Sequence, residues 1–249
     1  MVLRHEDREK KSLVTKIKEN KLAYIFLAVV IIVFIVLVIR DVRLEMAPPI
    51  EFETVNFGEH SWLVLERQED RMLLLSEYIL FEMAYSSTRR TNTWEESSLR
   101  EYLNHDFFYT FAPEERTLII SVINKNSDNP RYNADGGGDT EDFVFILNYD
   151  EILGHFGDSG GRRNFGGLIH DTYNARRVAY DVDGNYAQWW WVRTPGHQRL
   201  RAVLVSPGGS IHLYGDRRQF RPIGSTVGRT VTCSDIGVRP AMWVEVDGF

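Results

Sequence analysis

From Leu22 to Ile39 the chain reads LAYIFLAVVIIVFIVLVI, eighteen residues without a charge, and no other feature limits its folding options so sharply. At about 1.5 Å rise per residue such a run approaches the roughly 30 Å of a hydrocarbon core. A secretory signal has a shorter apolar stretch of roughly 7–15 residues ending in a small-residue cleavage site. Here the run leads into Arg40, Asp41, Val42 and Arg43. These features predict an uncleaved N-terminal transmembrane helix over 22–39, with a buried core helix as the rival. Seven basic residues (Arg4, Arg8, Lys10, Lys11, Lys16, Lys18 and Lys21) precede the run, and only Arg40 and Arg43 follow it closely. Positive-inside bias then gives a single-pass cell-membrane protein with its N-terminus in the cytoplasm. The expected organisation is a basic cytoplasmic segment over 1–21, the membrane helix over 22–39, a linker over 40–50 containing Pro48 and Pro49, and one extracytoplasmic domain over 51–249.

The charge splits in the same way. The 249 residues hold 29 Lys plus Arg against 35 Asp plus Glu, a net of -6. Residues 1–43 carry nine basic and five acidic side chains, so 20 and 30 remain beyond them, a net of -10. Those 20 basic residues are nineteen Arg and one Lys, Lys125. An acidic domain excludes a general nucleic-acid coat and gives no nucleic-acid partner. A hydrophobic content of 43% excludes disorder. Cys233 is the single cysteine, so no intrachain disulfide forms. With no Cys-His motif beside it, it reads as a small buried hydrophobe.

Beyond the linker, FETVNFG reads as a strand, and two apolar runs flanking Arg67-Gln68-Glu69-Asp70-Arg71 read as a β-hairpin. Thr93-Trp94-Glu95-Glu96 fits a capping box and predicts a helix through about Leu103, with Arg100 alongside Glu96. Ala112-Pro113-Glu114-Glu115 predicts a second, short helix that yields to the strand LIISVI. Residues 124–142 read as loop, FVFIL (143–147) as a buried strand, and 149–152 as a turn or brief helix. Short strands follow around 186–192, 201–205, 210–213 and 238–246, separated by glycine-rich turns. The order of elements gives an α+β class.

Five patches in order carry a family resemblance: Phe57-Gly58 with Trp62-Leu63-Val64-Leu65; Thr93 to Asn104 with Phe107; Thr140 to Leu147; Trp190-Trp191-Val192-Arg193-Thr194-Pro195-Gly196; and Gly237-Val238-Arg239-Pro240-Ala241-Met242-Trp243. Over roughly residues 52–246 the chain resembles an uncharacterised bacterial family of surface and phage-associated domains with WWLRSPG and GVRPA segments. That family is related to C-type lectins and, distantly, to formylglycine-generating enzymes. The resemblance implies a bacterial source and a C-type-lectin-like domain, with two early helices on a small antiparallel sheet and a loop-rich second half. It implies no activity. Trp62, Trp94, Arg100, Asn104, Trp190, Trp191, Arg193, Pro195, Gly196, Arg239, Pro240 and Trp243 are its motif positions. Their bland reading is structural: tryptophans fill the core, and arginine forks pin loops.

No catalytic set is legible. A formylglycine-generating oxidase relies on a reactive cysteine pair, and Cys233 is single. His60, His105, His155, His170, His197 and His212 are scattered, with no Gly-x-Ser-x-Gly elbow and no His-Glu-x-x-His. Asp158-Ser159-Gly160-Gly161 reads as a turn. No cofactor is indicated, and calcium is the one ion with clustered ligand types: Asp181-Val182-Asp183-Gly184-Asn185, with Asp128, Asp135, Asp139 and Asp142 in the loop before. Counting from Asp181, the twelfth position of an EF-hand would be Val192 rather than Glu, and an Asp-Gly hairpin turn explains 181–185 without metal.

Aromatic and basic side chains interleave in the late loops. Arg176, Arg177, Tyr186, Trp189, His197, Arg199, His212, Tyr214, Arg217, Arg218 and Arg221 are the candidate ligand-binding residues, because Tyr, Trp and Arg are the usual anchors of recognition surfaces. The functional expectation is a membrane-anchored, non-enzymatic recognition module. Its partners would be the bilayer, through residues 22–39, and an extracellular protein, glycan or envelope polymer. The alternatives are an envelope enzyme with a metal-assisted site using Asp135, Asp139 or Asp183, and a structural subunit of a membrane complex docking through residues 1–21.

Overall fold

The computed structural model describes Lys21 and residues 24–37, 50–158, 167–215 and 230–246. The chain forms two compact units, Met1–Ala47 and Pro48–Phe249. In the first, residues 24–37 form a helix (α1) whose apolar side chains are exposed. Fourteen residues span only about 21 Å, and among the described residues no helix is long and apolar enough to cross a membrane. The transmembrane helix over 22–39 and the N-inside single-pass placement built on it are therefore corrected. The described residues 24–37 cover less than a hydrocarbon core of about 30 Å. Apart from Lys21 and Ile50, the 1–21 segment and the 40–50 linker lie outside the described residues.

The second unit is α+β. It opens with β1 (Thr54–Phe57), β2 (His60–Arg67) and β3 (Arg71–Ser76), then β4 (Phe81–Glu82), α2 (Ser98–Tyr102) and α3 (Pro113–Leu118). Next come β5 (Ile119–Ile120), β6 (Val122–Asn124), β7 (Thr140–Asp142) and α4 (Tyr149–Phe156). The last stretch carries β8 (Leu168–Ile169), β9 (Trp190–Pro195), β10 (Ala202–Val205), β11 (Ile211–His212), β12 (Gly237–Val238) and β13 (Ala241–Glu245). One sheet runs β1-β2-β3-β13-β5, a second β4-β12-β9-β10-β11-β8, and β6-β7 form a separate ribbon. Instead of helices on one small sheet, the described residues divide between two larger sheets and short helices.

Alternation explains β2, which buries Trp62 and Val64 while Ser61, Leu63 and Leu65 are half-buried. β3 is a continuous buried run because it lies between β2 and β13, register Leu74 to Met242, and is covered on both faces. Trp62, Trp94, Trp190 and Trp191 are fully buried and each finds an acceptor: Phe57 O at 2.8 Å, Asp142 Oδ2 at 3.0 Å, Arg177 O at 3.1 Å and Met83 O at 2.8 Å. Burial of a large apolar side chain contributes about 1.5–3 kcal/mol, and the satisfied indole N–H removes the offsetting desolvation cost.

Two local expectations need correction. The helix does not begin at Thr93: Ser97 is its cap, accepting from Arg100 N at 3.1 Å. Trp94 is drawn into the core, and Thr93 bonds Thr91 (Oγ1 to Oγ1, 3.0 Å). The chain continues past α2 as a π-helical turn, Leu103–Phe107. In FVFIL, Val144 to Leu147 are buried while Phe143 is exposed, and the segment forms no strand. Phe145 makes one bridge with Ala241 (N–H to O 2.9 and 2.7 Å), while the carbonyls of Val144, Ile146 and Leu147 accept from Asn104, Arg193 Nη1 and Arg193 N. At Ala112 the backbone N–H donates to Glu115 Oε2 at 2.8 Å, which fixes the start of α3.

Candidate binding site

The buried charges are scaffold. Asp142, fully buried on β7, accepts from Arg100 Nε (2.5 Å), Trp94 Nε1 (3.0 Å), Asn124 Nδ2 (2.9 Å), Thr140 Oγ1 (2.7 Å) and, more weakly, Asn104 Nδ2 (3.4 Å). Arg193 on β9 grips Glu151 with both terminal nitrogens, at 2.8 and 2.6 Å, and donates to Ile146 O. Arg239 donates to Ser76 O (2.8 Å) and Glu77 O (3.3 Å) with no salt-bridge partner among the described residues, and burial pushes its guanidinium down to about 10. Tyr85, buried beside Trp94 and Trp191, donates to Arg193 O at 3.1 Å, and its phenol is held above its ordinary range by burial.

The remaining motif residues also hold backbone. Asn104 takes the N–H of Phe143 at 2.7 Å, Pro195 O accepts from Asn129, and Pro240 O accepts from Ser76 N. Gly196 pairs with Arg201 O, where a Cβ would come within 2.7 Å of that oxygen. Trp243 is only half-buried, under Arg71 at 4.8 Å.

The candidate binding residues that the structure describes have differing surroundings. Arg177 is fully buried, paired with Asp171, and burial lowers its pKa against the pull of that carboxylate. Arg176 stacks on Tyr173 at 4.8 Å. Tyr186 is 72% exposed at the tip of the 180–187 turn, with Tyr180 and Val182. Trp189 and His212 meet edge-on at 4.8 Å. Arg199 is exposed. Arg217, Arg218 and Arg221 lie outside the described residues.

One cluster does assemble. His197 packs against Tyr214 at 4.8 Å and against Tyr132 at 4.7 Å, and the two tyrosines meet edge-to-face at 5.5 Å. Arg131 lies over Tyr132 and Arg201 over Tyr214, each at 5.7 Å. Asn129, which donates to Pro195 O and Leu213 O, brings this loop against the second sheet. Tyr132 was missed because its loop lacks apolar periodicity; an aromatic beside Arg131 in an otherwise Asn/Asp/Gly stretch was the available signal.

The acidic loops use their carboxylates internally. Asp181 Oδ1 accepts the N–H of Asn185 (2.8 Å) and of Tyr186 (3.4 Å), Asp128 that of Gly136, and Asp135 that of Gly137. Asp139 and Asp183 are exposed. Among the described residues no group of three His, Cys, Asp or Glu could hold a metal ion. Ser159 lies outside the described residues. One Ser-His contact that the sequence did not foretell joins Ser210 Oγ to His170 Nδ1 at 2.8 Å, with Asn174 Nδ2 touching both. The neighbouring Asp171 is turned to Arg177, so the network pins two loops and does not complete a triad.

A concavity of about 560 Å³ lies where the β1–β2 turn meets α3. Its lining includes Glu59, His60, Phe107, Thr110, Phe111 and Glu115. His60 stacks on Phe107 (6.0 Å, 17°), and Phe107 meets Phe111 at 88°. Burial lowers the His60 pKa from 6.5, with Glu59 pulling the other way. A smaller acidic cleft, about 280 Å³, includes Glu95, Glu96, Arg100 and Glu101 in its lining.

The family model for the domain of unknown function DUF6273 matches residues 69–246, 178 of the 249. The chain belongs to this family. The DUF6273 match takes in both sheets from β3 onward, the helices α2 to α4 and the three-ring cluster, while β1, the β1–β2 turn and β2 precede it. No curated protein and no solved structure matches the chain.

Proposed function

We propose that the DUF6273 domain is a non-enzymatic recognition module that binds a glycan or an anionic glycopolymer through the Tyr132–His197–Tyr214 cluster. The observation that carries this is three rings within 5.5 Å of one another, bordered by Arg131 and Arg201, with the exposed Arg199 two residues along the chain from His197. Aromatic faces suit the apolar side of a sugar ring, and guanidinium forks suit its carboxylate, sulfate or phosphate groups. A non-catalytic role is supported by the internal use of the buried charges, which hold backbone. A kinship with C-type-lectin-like domains belongs to the same reading. It is supported by the C-terminal β13 pairing beside the N-terminal hairpin strand β3 and by the loop-rich second sheet.

The test is retention of the full chain on neutral, carboxylated, sulfated and phosphorylated polysaccharides. His197→Ala and Arg199→Ala are exposed changes, and each should weaken retention on one of these about five-fold or more, about 1 kcal/mol, without moving the thermal transition. Unchanged retention in both variants refutes the surface. A protein partner is the second reading, favoured by the 180–187 turn, where Tyr180, Val182 and Tyr186 are 46%, 59% and 72% exposed. Such a projecting aromatic tip suits a protein pocket better than a polysaccharide chain.

A further inference from the structure

We infer that the groove between the β1–β2 turn and α3 is a second binding site, which takes a protonated primary amine on an alkyl stem, the lysine side chain of a partner polypeptide. Its size, about 560 Å³, is that of a small-ligand site, and its lining combines aromatic rings with carboxylates. Glu59 is exposed and has no hydrogen-bond or ion-pair partner among the described residues. Glu115 Oε2 accepts the Ala112 N–H, and its other oxygen has no partner among the described residues. That Oε2 is 3.9 Å from where a Cβ on Gly58 would stand, so this carboxylate faces the turn that carries Glu59.

Nothing among the groove's described residues neutralises the pair. The nearby Arg116 is committed elsewhere: its Nη1 donates to Phe111 O at 3.1 Å and its guanidinium lies over Tyr109 at 4.9 Å. His60 adds no positive charge near neutral pH, because burial keeps its pKa below 6.5. Gly58, at φ +58°, keeps the mouth open, since any side chain there would meet the Phe111 ring at 2.9 Å. The choice of an alkylammonium over a sugar follows from the donors. The Thr110 hydroxyl is spent on Phe107 O at 2.7 Å, so the lining has acceptors for an ammonium and apolar rings for its stem, but few groups to donate to sugar hydroxyls. Cation–π attraction to the aromatic faces of such a site adds to the ion pairing.

The site shares no residue with the three-ring cluster, so its test is independent of the proposed function. The full chain is titrated with Nα-acetyl-lysine methylamide, following the His60 and Phe111 resonances, with Nα-acetyl-norleucine methylamide as the neutral isostere and glucosamine as the amino-sugar alternative. The lysine probe should saturate and the norleucine probe should not. Raising ionic strength from about 0.02 M to about 0.5 M should weaken it severalfold, as expected for partly exposed charges. Glu59→Gln should weaken binding about three-fold or more, and Glu59→Gln/Glu115→Gln about ten-fold, about 1.4 kcal/mol. Gln at 115 keeps the helix-start hydrogen bond, and His197→Ala should change nothing. Equal binding of the norleucine probe, tighter binding of glucosamine, or full affinity in the double variant would overturn the assignment.

Discussion

Asp142→Asn tests how much of this fold hangs on one carboxylate. The wild-type side chain is fully buried and takes three donors on Oδ2, from Trp94, Asn124 and Thr140, and two on Oδ1, from Arg100 and Asn104. An amide cannot reproduce this. With its NH₂ placed at Oδ2 it meets three donors, and with its NH₂ at Oδ1 it meets two, Arg100 and the weaker Asn104, so the second orientation is the better one. That choice loses a charge-assisted bond worth about 1.5–3 kcal/mol and leaves donors unpaired at about 1–3 kcal/mol. Arg100, with 28% of its side chain exposed, recovers part of this by solvation, so the expected loss is about 3 kcal/mol. For a domain near 200 residues that lowers Tm by about 6–12 °C. The companion Thr140→Val removes one neutral donor and should cost about 1 kcal/mol. Urea unfolding of both variants, followed by tryptophan fluorescence, reads the difference. If Asp142→Asn is no worse than Thr140→Val, the carboxylate is not the hub its five donors describe.

Other outcomes follow from the same geometry. Arg193→Lys gives up the two-pronged grip on Glu151 and the bond to Ile146 O, because an ammonium lacks the planar fork. It should cost about 2–4 kcal/mol in denaturant unfolding. Gly209→Ala drives a Cβ to 1.8 Å from Asn174 O at φ +77° and should unfold the second sheet's loops, seen as lost amide-exchange protection. Gly184→Ala, at φ +70° with open space around it, should cost only about 1–2 kcal/mol. His60 titrates below its unfolded value of 6.5. The unfolded chain therefore binds the extra proton first, and stability should fall as pH drops below 6.5 toward the folded pKa. His60→Gln should flatten that part of the pH profile.

What the sequence showed reliably was local pattern. The β2–β3 hairpin is visible because two apolar runs flank a polar turn, and the start of α3 because Pro113 and Glu115 act within one helical turn. The failures were long-range. Helical spacing puts Arg100 beside Glu96, four residues away, but it pairs with Asp142, 42 residues on. FVFIL has the composition of a strand, yet its carbonyls are taken by Asn104 and Arg193 from elsewhere in the chain, and no spacing rule encodes that. The helix start at Thr93 was lost because burying Trp94 outweighed a capping bond of about 1 kcal/mol. The apolar run at 22–39 failed differently: among the described residues no helix is long and apolar enough to cross a membrane.

The arginine excess beyond residue 43 is where sequence pattern and structure diverge most usefully. Nineteen arginines against one lysine suggested a basic face, yet Arg100, Arg177, Arg193 and Arg239 reach into the fold, and each has a carbonyl or carboxylate waiting. A guanidinium offers five donors in a plane and stays charged even when burial lowers its pKa, as Arg239 does at about 10. A lysine in the same place would leave carbonyls unpaired and could shed its proton. A domain of short strands and irregular chain has many backbone oxygens without ladder partners, and arginine is the side chain that answers several of them at once. The recognition surface is therefore to be sought among charged and aromatic residues that do not hold the scaffold. These are His197 and Arg131 at the three-ring cluster, the exposed Arg199 nearby in sequence, and Glu59 at the groove. There, charge is displayed and not consumed.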